Sequence, residues 1–451
     1  MVTPLHKSGS KSLVQNYRPI SVTSCCSRIL ERIINNKIKS FLTRNHLIYS
    51  TQHGFQNGKS TDTALLQFYD YVTRYTDNNL IVNAVFFDFT KAFDTVPHPV
   101  LINRLNSIGI CGRALDWIDD FLCSRFQRVK IGESLSRALP VTSGVIQGSV
   151  LGPTLFNIFV NDVDKCLNYC NIIKYADDIR IYLSSSKSTS DMTSLRRNMQ
   201  TDIDNLSSWA SQSGMSFNVG KCFSVTFGRS SKDQADWCYD IAGTSLPHKS
   251  VFKDLGVIVT SPLSFNSYMD DIVAKAFRRL GLICKLFHSK SPKSIVRLYK
   301  SFVRPILEYA SIIWNPYTKT YIDKIERVQK RLCRIVPDIR HFSYRDQLKI
   351  LGLLSLEARR IRYQMISLYK LHNGDTDLSL EDYFILKNDK RTRSHSRSIR
   401  AKFAKNNYRL NFFTVSAISK WNQLTDRDVC APNVNSFKII LDCFFNEHNI
   451  W

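Results

Sequence analysis

Three carboxylates stand where they could hold cations. Asp88 closes the apolar run Val85-Phe86-Phe87, and Asp177-Asp178 sit between two short runs, Asn171 to Tyr175 and Ile179 to Leu183. A lone charge at the end of a buried strand needs a pairing cation or a metal. For Asp88 the alternative is a cap on the turn from Thr90 to Phe93. Adjacent carboxylates repel each other and gain most from a divalent ion laid against them. For Asp177 and Asp178 the alternative is an ordinary solvated turn. Each bland reading suffices for its own residues, but the combination fits one chemistry, in-line displacement at phosphorus by two Mg²⁺ ions roughly 4 Å apart. Magnesium takes one or two carboxylates together with waters and phosphates, so the sparse histidines, 10 in all, are consistent with it.

The elements that must position these groups are legible in outline. Leu80 to Phe87 is β-branched and aromatic, the pattern of a buried strand, and the runs flanking Asp177-Asp178 predict a tight hairpin. Phe223 to Phe227 and Val251 to Val259 also read as strands. Cys26 to Leu42 places Ile29, Ile33 and Leu42 at helical spacing, and the chain turns helical again after Ser264. Further on, Ile325, Val328, Leu332 and Ile335 recur on one helical face, while Lys324, Arg327, Lys330, Arg331 and Arg334 crowd the rest. That basic face is either a solvated surface or a track for a nucleic-acid backbone.

Composition narrows the partners. Among 451 residues, 62 lysines and arginines oppose 38 aspartates and glutamates, a formal charge of +24 that favours a polyanion or an acidic membrane surface. A membrane span needs about 20 consecutive apolar residues, and no stretch approaches this. Nucleic acid is therefore the expected partner. Met1 to Ser12 lacks the apolar core of a secretory signal, which predicts an intracellular protein that is not secreted. The twelve cysteines are expected to be reduced and mostly buried; Cys166 and Cys170 have no second pair at zinc-site spacing. Biased composition is confined to Ser184 to Ser190 and to the basic stretch Lys390 to Arg409, both read as loops or borders. His53-Gly54-Phe55-Gln56-Asn57-Gly58-Lys59-Ser60 suggests a phosphate-binding loop, but the Walker pattern needs four residues between its glycines and this stretch has three.

Several blocks resemble one known family, the reverse transcriptases of non-LTR retrotransposons (LINE-type), and most closely the jockey-like group. Asn16-Tyr17-Arg18-Pro19-Ile20-Ser21 resembles its first block, and Phe87-Asp88-Phe89-Thr90-Lys91-Ala92-Phe93-Asp94-Thr95-Val96-Pro97-His98 its motif A. Ser143-Gly144-Val145-Ile146-Gln147-Gly148-Ser149-Val150-Leu151-Gly152-Pro153 is similar to motif B, and Tyr175-Ala176-Asp177-Asp178 to motif C. Trp209 to Phe227, with Gly214 and Lys221, is similar to motif D, and Phe252 to Val257 to the primer-grip region. Tyr299 to Ala310 resembles the thumb, and Trp421-Asn422 the C-terminal tail.

The resemblance implies an α/β (α+β) right-hand polymerase. Fingers and palm would occupy 1–263, a helical thumb 264–345, and a mostly helical, basic extension 346–451. It implies an RNA-directed DNA polymerase that extends a DNA primer with dNTPs on an RNA template, using two Mg²⁺ with Mn²⁺ as substitute. Asp88 and Asp177 would be direct metal ligands, Asp178 would support them, and the backbone of Phe89 would also touch metal. Phe93 would be the ring that excludes a 2′-hydroxyl, against the ordinary use of phenylalanine in a core. Gln147 and Gly148 would lie beside the incoming nucleotide, and Lys221 would act as general acid for the leaving diphosphate, a surface lysine being the alternative. Arg18 and Lys59 would contact phosphates. Gln56 stands where the family commonly has arginine. Lys324, Arg327, Lys330, Arg331 and Arg334 would track the nucleic acid.

The first block begins just after Met1, so a separate endonuclease is expected to supply the primer, and the family implies the nucleus. Two alternatives stay open: a non-catalytic RNA-binding relic of a truncated element, and a maturase-like or telomerase-like polymerase.

Overall fold

The computed structural model describes residues 1–228, 238–287, 291–387 and 395–447. The chain packs as two compact units, each built from separate stretches of sequence. The first contains 1–56, 82–226 and 230–249; the second contains 57–81, 227–229 and 250–451. The contiguous boundary expected at 263 therefore differs from the packing, because the helix Thr61–Asp77 belongs with the C-terminal helices. Its buried Asp70 accepts from Arg409 Nη1 at 2.7 Å and from Thr414 Oγ1 at 2.5 Å.

In the first unit, a four-stranded sheet runs in the order Phe223–Phe227, Ile81–Phe87, Asp178–Ser185, Asn171–Tyr175. Ile81–Phe87 is buried along nearly all its length, as its apolar sequence requires of a central strand. The helices Gly152–Phe159 and Thr189–Gln212 contribute Leu155, Phe156, Met199, Ile203 and Leu206 to the same core as Val85, Phe87, Ile179 and Ile181. The strands Val2–His6 and Tyr17–Ser21 form a separate antiparallel pair.

The helix expected from Cys26 is present as Cys25–Arg44, started by Ser24, whose side chain accepts from Ser27 N. Its buried face is not the one that carries Ile29 and Ile33, which are 63% and 56% exposed, whereas Glu31, Asn35, Ile38 and Leu42 are buried. The physical reason is Glu31, whose Oε2 accepts the backbone N–H groups of Val150 and Leu151 at 2.8 and 3.2 Å. A buried charge satisfied by two amides outweighs the pull of exposed isoleucines.

In the second unit, Val251–Asp254 and Val257–Thr260 form a hairpin, and helices follow from Asn266–Leu286 to Val434–Glu447. The mostly helical C-terminal region is present. Within the basic stretch, residues 390–394 lie outside the described residues, and Arg409 is buried rather than part of a solvated border.

Of the twelve cysteines only Cys222 and Cys333 are buried, which corrects the expectation of mostly buried thiols. Among the described residues no helix is long and apolar enough to cross a membrane.

Candidate active site

Motif A leaves its strand at Phe87 and is held open by a segment from motif D. Asp88 O accepts from Asn218 N at 2.7 Å, Thr90 N donates to Ser216 O at 2.9 Å, and Phe89 stacks on Phe217 with centroids 4.7 Å apart. This fixes the backbone around Asp88 while its carboxylate, 31% exposed, faces Lys221, whose Nζ donates to Oδ2 at 2.7 Å. The cation that a strand-end aspartate requires is thus partly supplied by the chain itself. Cys222 lies beneath; burial, with the charge of Asp88 adding to it, pushes its thiol up to about 11.

The acidic hairpin forms as expected. Tyr175 pairs with Asp178, leaving Ala176 and Asp177 as a two-residue turn. Ala176 takes a φ of 56°, a left-handed conformation that costs an L-residue about 1–2 kcal/mol and therefore needs external support. Burial pushes the Asp177 carboxyl up, and the nearby charge of Asp88 pushes it further, opposed by Arg18 and Lys7. Asp88 and Asp177, distant in sequence, are thus within electrostatic reach of each other. Asp178 is exposed at the start of its strand.

Motif B packs directly on motif A. Val145 N donates to Phe93 O and Gly144 N to Val96 O, both at 2.8 Å, and a Cβ on Gly144 would stand 2.7 Å from Asp94 O. Gln147 Nε2 donates to Asp94 Oδ1 at 2.8 Å, so the glutamine is tied to the helix that carries Phe93. Burial raises the Asp94 carboxyl, with the Gln147 bond opposing. Phe93 is half-buried and stacked on Phe156, centroids 4.4 Å apart. Gly148 has a φ of 103° and meets backbone, as expected of a glycine, but the backbone is that of Ser21: a Cβ would lie 2.8 Å from Ser21 O. Ser21 N in turn donates to Gln147 O at 2.8 Å. The strand carrying Arg18 is thereby pinned to motif B.

Two expectations separate from this cluster. Lys59 belongs to the second unit, where its side chain is 2% exposed and its Nζ lies 3.1 Å from Asp377. This corrects its reading as a phosphate contact, since a buried, paired ammonium is not available to a ligand. On the helix Lys319–Ile335, also in the second unit, Arg327, Arg331 and Arg334 are exposed. Lys324 is paired with Asp270 at 2.6 Å, and Lys330 sits over the Tyr344 ring at 5.3 Å. The basic face is therefore three exposed arginines alongside two engaged lysines.

The sequence reading missed the groups that support the hairpin. Gln52, 1% exposed, accepts through Oε1 from Ala176 N at 2.9 Å and from Gly54 N at 2.8 Å. Lys7, close enough to act on the Asp177 carboxyl, was also missed. The signal for Gly54 lay in the block from His53 to Thr61, which was read for its glycine spacing and not for backbone approach; Gln52 stands one residue before that block.

Asp88 and Asp177 present hard oxygen donors, and the nearby charge of Asp88 adds to the burial that raises the Asp177 carboxyl, a strain that a divalent cation would relieve. Among the described residues no group of three histidine, cysteine, aspartate or glutamate side chains converges on one point.

An aspartate-bearing strand, an acidic hairpin beside it and a helical second unit define the right-hand polymerase class. The model of the reverse transcriptase (RNA-dependent DNA polymerase) family matches residues 5–259, and the chain belongs to that family, whose members use divalent metal ions. It is 26% identical over 350 residues to the probable RNA-directed DNA polymerase from transposon BS of Drosophila melanogaster, covering 75% of this chain and 38% of that protein. To the RNA-directed DNA polymerase from mobile element jockey of Drosophila funebris it is 29% identical over 339 residues, covering 73% and 36%. These relatives agree with the jockey-like resemblance of the motifs. The chain spans less than two fifths of their length. Among solved structures, apo telomerase from Candida tropicalis is 12% identical with a TM-score of 0.40, covering 80% of this chain and 65% of that one.

Proposed function

We propose that the chain is an RNA-directed DNA polymerase of a jockey-like non-LTR element, extending a DNA primer with dNTPs on an RNA template. The observation that carries this reading is the electrostatic coupling of Asp88 with Asp177, two carboxylates that separate motifs bring together at the sheet. Two Mg²⁺, or Mn²⁺ in their place, would activate the primer hydroxyl and neutralise the leaving diphosphate. Asp88 and Asp177 would hold them, with Asp178 and the backbone of Phe89 in support.

In the same reading Phe93 packs under the sugar, Gln147 and Gly148 border the nucleotide, Arg18 faces its phosphates and Lys221 returns a proton to the diphosphate. The fingers and palm correspond to 1–263, the thumb to 264–345 and the extension to 346–451. Arg327, Arg331 and Arg334 contact the nucleic-acid backbone, which makes binding sequence-tolerant and steeply salt-dependent. The setting is intracellular, in the nucleus.

Extension of oligo(dT) on poly(rA) with Mg²⁺ tests the reading. Wild type extends, and Asp177→Ala reduces extension by at least about 100-fold. If a well-folded wild type binds the duplex without extending it, the chain is an RNA-binding relic instead.

A further inference from the structure

The acidic turn is built with a backbone that its own sequence does not favour. Ala176 sits at a positive φ, and a two-residue turn leaves its N–H outside the ladder that ends at the Tyr175–Asp178 pair. What holds it comes from elsewhere in the first unit. Gln52 Oε1 accepts the Ala176 N–H at 2.9 Å and, at 2.8 Å, the N–H of Gly54. One buried oxygen thereby binds the turn and the segment beneath it together.

Gly54 lets that segment come close enough. A Cβ there would stand 2.4 Å from Ala176 N and 3.0 Å from its Cα, distances no side chain tolerates against backbone. The carbonyl of Gly54 is fixed in turn by Asn157, 1% exposed on the helix of motif B, whose Nδ2 donates to it at 2.7 Å. Two residues before the tip, the hairpin is held again: Lys174 N donates to Thr51 O at 2.9 Å and His53 N to Lys174 O at 2.8 Å. The Lys174 side chain, fully buried, is ion-paired to Asp164, which also accepts from Thr51 Oγ1.

From this geometry we infer that Gln52, with Gly54 and Asn157, is a positioning residue for the acidic turn: it sets the backbone from which Asp177 reaches the metal ions and couples that turn to motif B. The inference rests on the reading of Asp177 as a metal carboxylate. None of the three touches substrate; they act through Ala176. Misplacement of a reacting group by about 1 Å costs on the order of 100-fold in rate, so loss of the Gln52 acceptor falls on turnover and on metal affinity rather than on nucleotide affinity.

The full chain is assayed on poly(rA)/oligo(dT), with active sites counted by the pre-steady-state burst. Gln52→Met, close in shape but without an acceptor oxygen, lowers kcat per active site about 10- to 100-fold. It raises the Mg²⁺ concentration for half activity and leaves the KM for dTTP within about threefold. Gln52→Glu, which keeps the accepting oxygens, recovers most of kcat. Gly54→Ala shows the signature of Gln52→Met and carries the test alone should Gln52→Met not fold. Normal kcat and Mg²⁺ dependence in the folded variants overturn the inference, as does a loss confined to the fraction of active molecules, which marks a merely structural role. Asp177→Ala is run alongside. If it extends like wild type, the site reading itself fails; if it is inactive while Gln52→Met and Gly54→Ala behave as wild type, only the positioning role fails.

Discussion

Lys221 and Asp88 face each other across the motif A strand end, with Nζ 2.7 Å from Oδ2. An ammonium and a divalent ion that both seek the same carboxylate oxygen compete, and the lysine is the more exposed partner, at 57% against 31%. Removal of the ammonium therefore has two effects of opposite sign. Lys221→Met is expected to lower the Mg²⁺ concentration needed for half activity, because the competitor is gone. It lowers kcat by about 100-fold if the lysine also returns a proton to the diphosphate. Single-nucleotide incorporation across a Mg²⁺ titration separates the two; unchanged kcat with improved metal affinity would leave Lys221 a charge partner alone.

Phe93 sits on a short helix whose carbonyl groups bind motif B, and its ring stacks on Phe156. A side chain held on one face by a second ring presents its other face in a fixed position. Phe93→Val is expected to raise the incorporation of ribonucleotides relative to deoxynucleotides by at least about tenfold, with dNTP use reduced only a few-fold. Competition between rUTP and dTTP on the same template reads this directly, and unchanged discrimination removes Phe93 from the sugar site.

Asp177 makes stability depend on pH in a defined direction. Burial, reinforced by Asp88, raises its carboxyl above the ordinary value of 3.8, so the folded chain holds this proton more tightly than the unfolded chain. The stability it contributes is complete below the ordinary value and is lost as pH rises through the folded one. At neutral pH the ionised Asp177 is therefore a burden on the fold. Asp177→Asn is expected to melt higher than wild type near about pH 8 and to lose that advantage as the pH is lowered toward the ordinary carboxyl value of 3.8. Added Mg²⁺ raises the melting temperature of wild type more than that of the variant, by relieving the same repulsion. Equal melting curves at every pH would show that the carboxylate is not strained.

Asp202 is fully buried on the helix Thr189–Gln212, and its two oxygens accept the N–H groups of Asn168, Tyr169 and Cys170 at 2.8, 2.9 and 2.7 Å. It caps the turn that feeds the first strand of the acidic hairpin. Asp202→Ala leaves three amides without a partner and is expected to cost about 3 kcal/mol in urea unfolding. A change below about 0.5 kcal/mol would mean that water replaces the carboxylate.

Arg327, Arg331 and Arg334 differ from the neighbouring lysines in being exposed and, among the described residues, in having no acidic partner to release. If they meet phosphates, alanine at all three lowers the slope of log affinity against log salt for an RNA–DNA duplex by about 3, with little change between sequences. Lys324→Ala, which breaks an ion pair with Asp270, is expected to change that slope less. Filter binding over a salt series gives both numbers.

The sequence by itself determined the strands, the hairpin and the acidic triplet, because these depend on local apolar periodicity and on residue types within a few positions of one another. It also determined the membership of the motif blocks, and with them the family. It found the helix Cys25–Arg44 but not its buried face, from which Ile29 and Ile33 point away, because the burial of Glu31 depends on amides of Val150 and Leu151 far along the chain. Lys59 was misread for the same reason, since nothing near it in sequence announces Asp377. Only the tertiary structure decided that Asp88 comes within electrostatic reach of Asp177, that Lys221 answers Asp88, and that Gln52 and Gly54 hold the turn at Ala176. Each of these relates segments distant in sequence. Periodicity carries no record of such contacts; electrostatics and close packing impose them once the strands are in place.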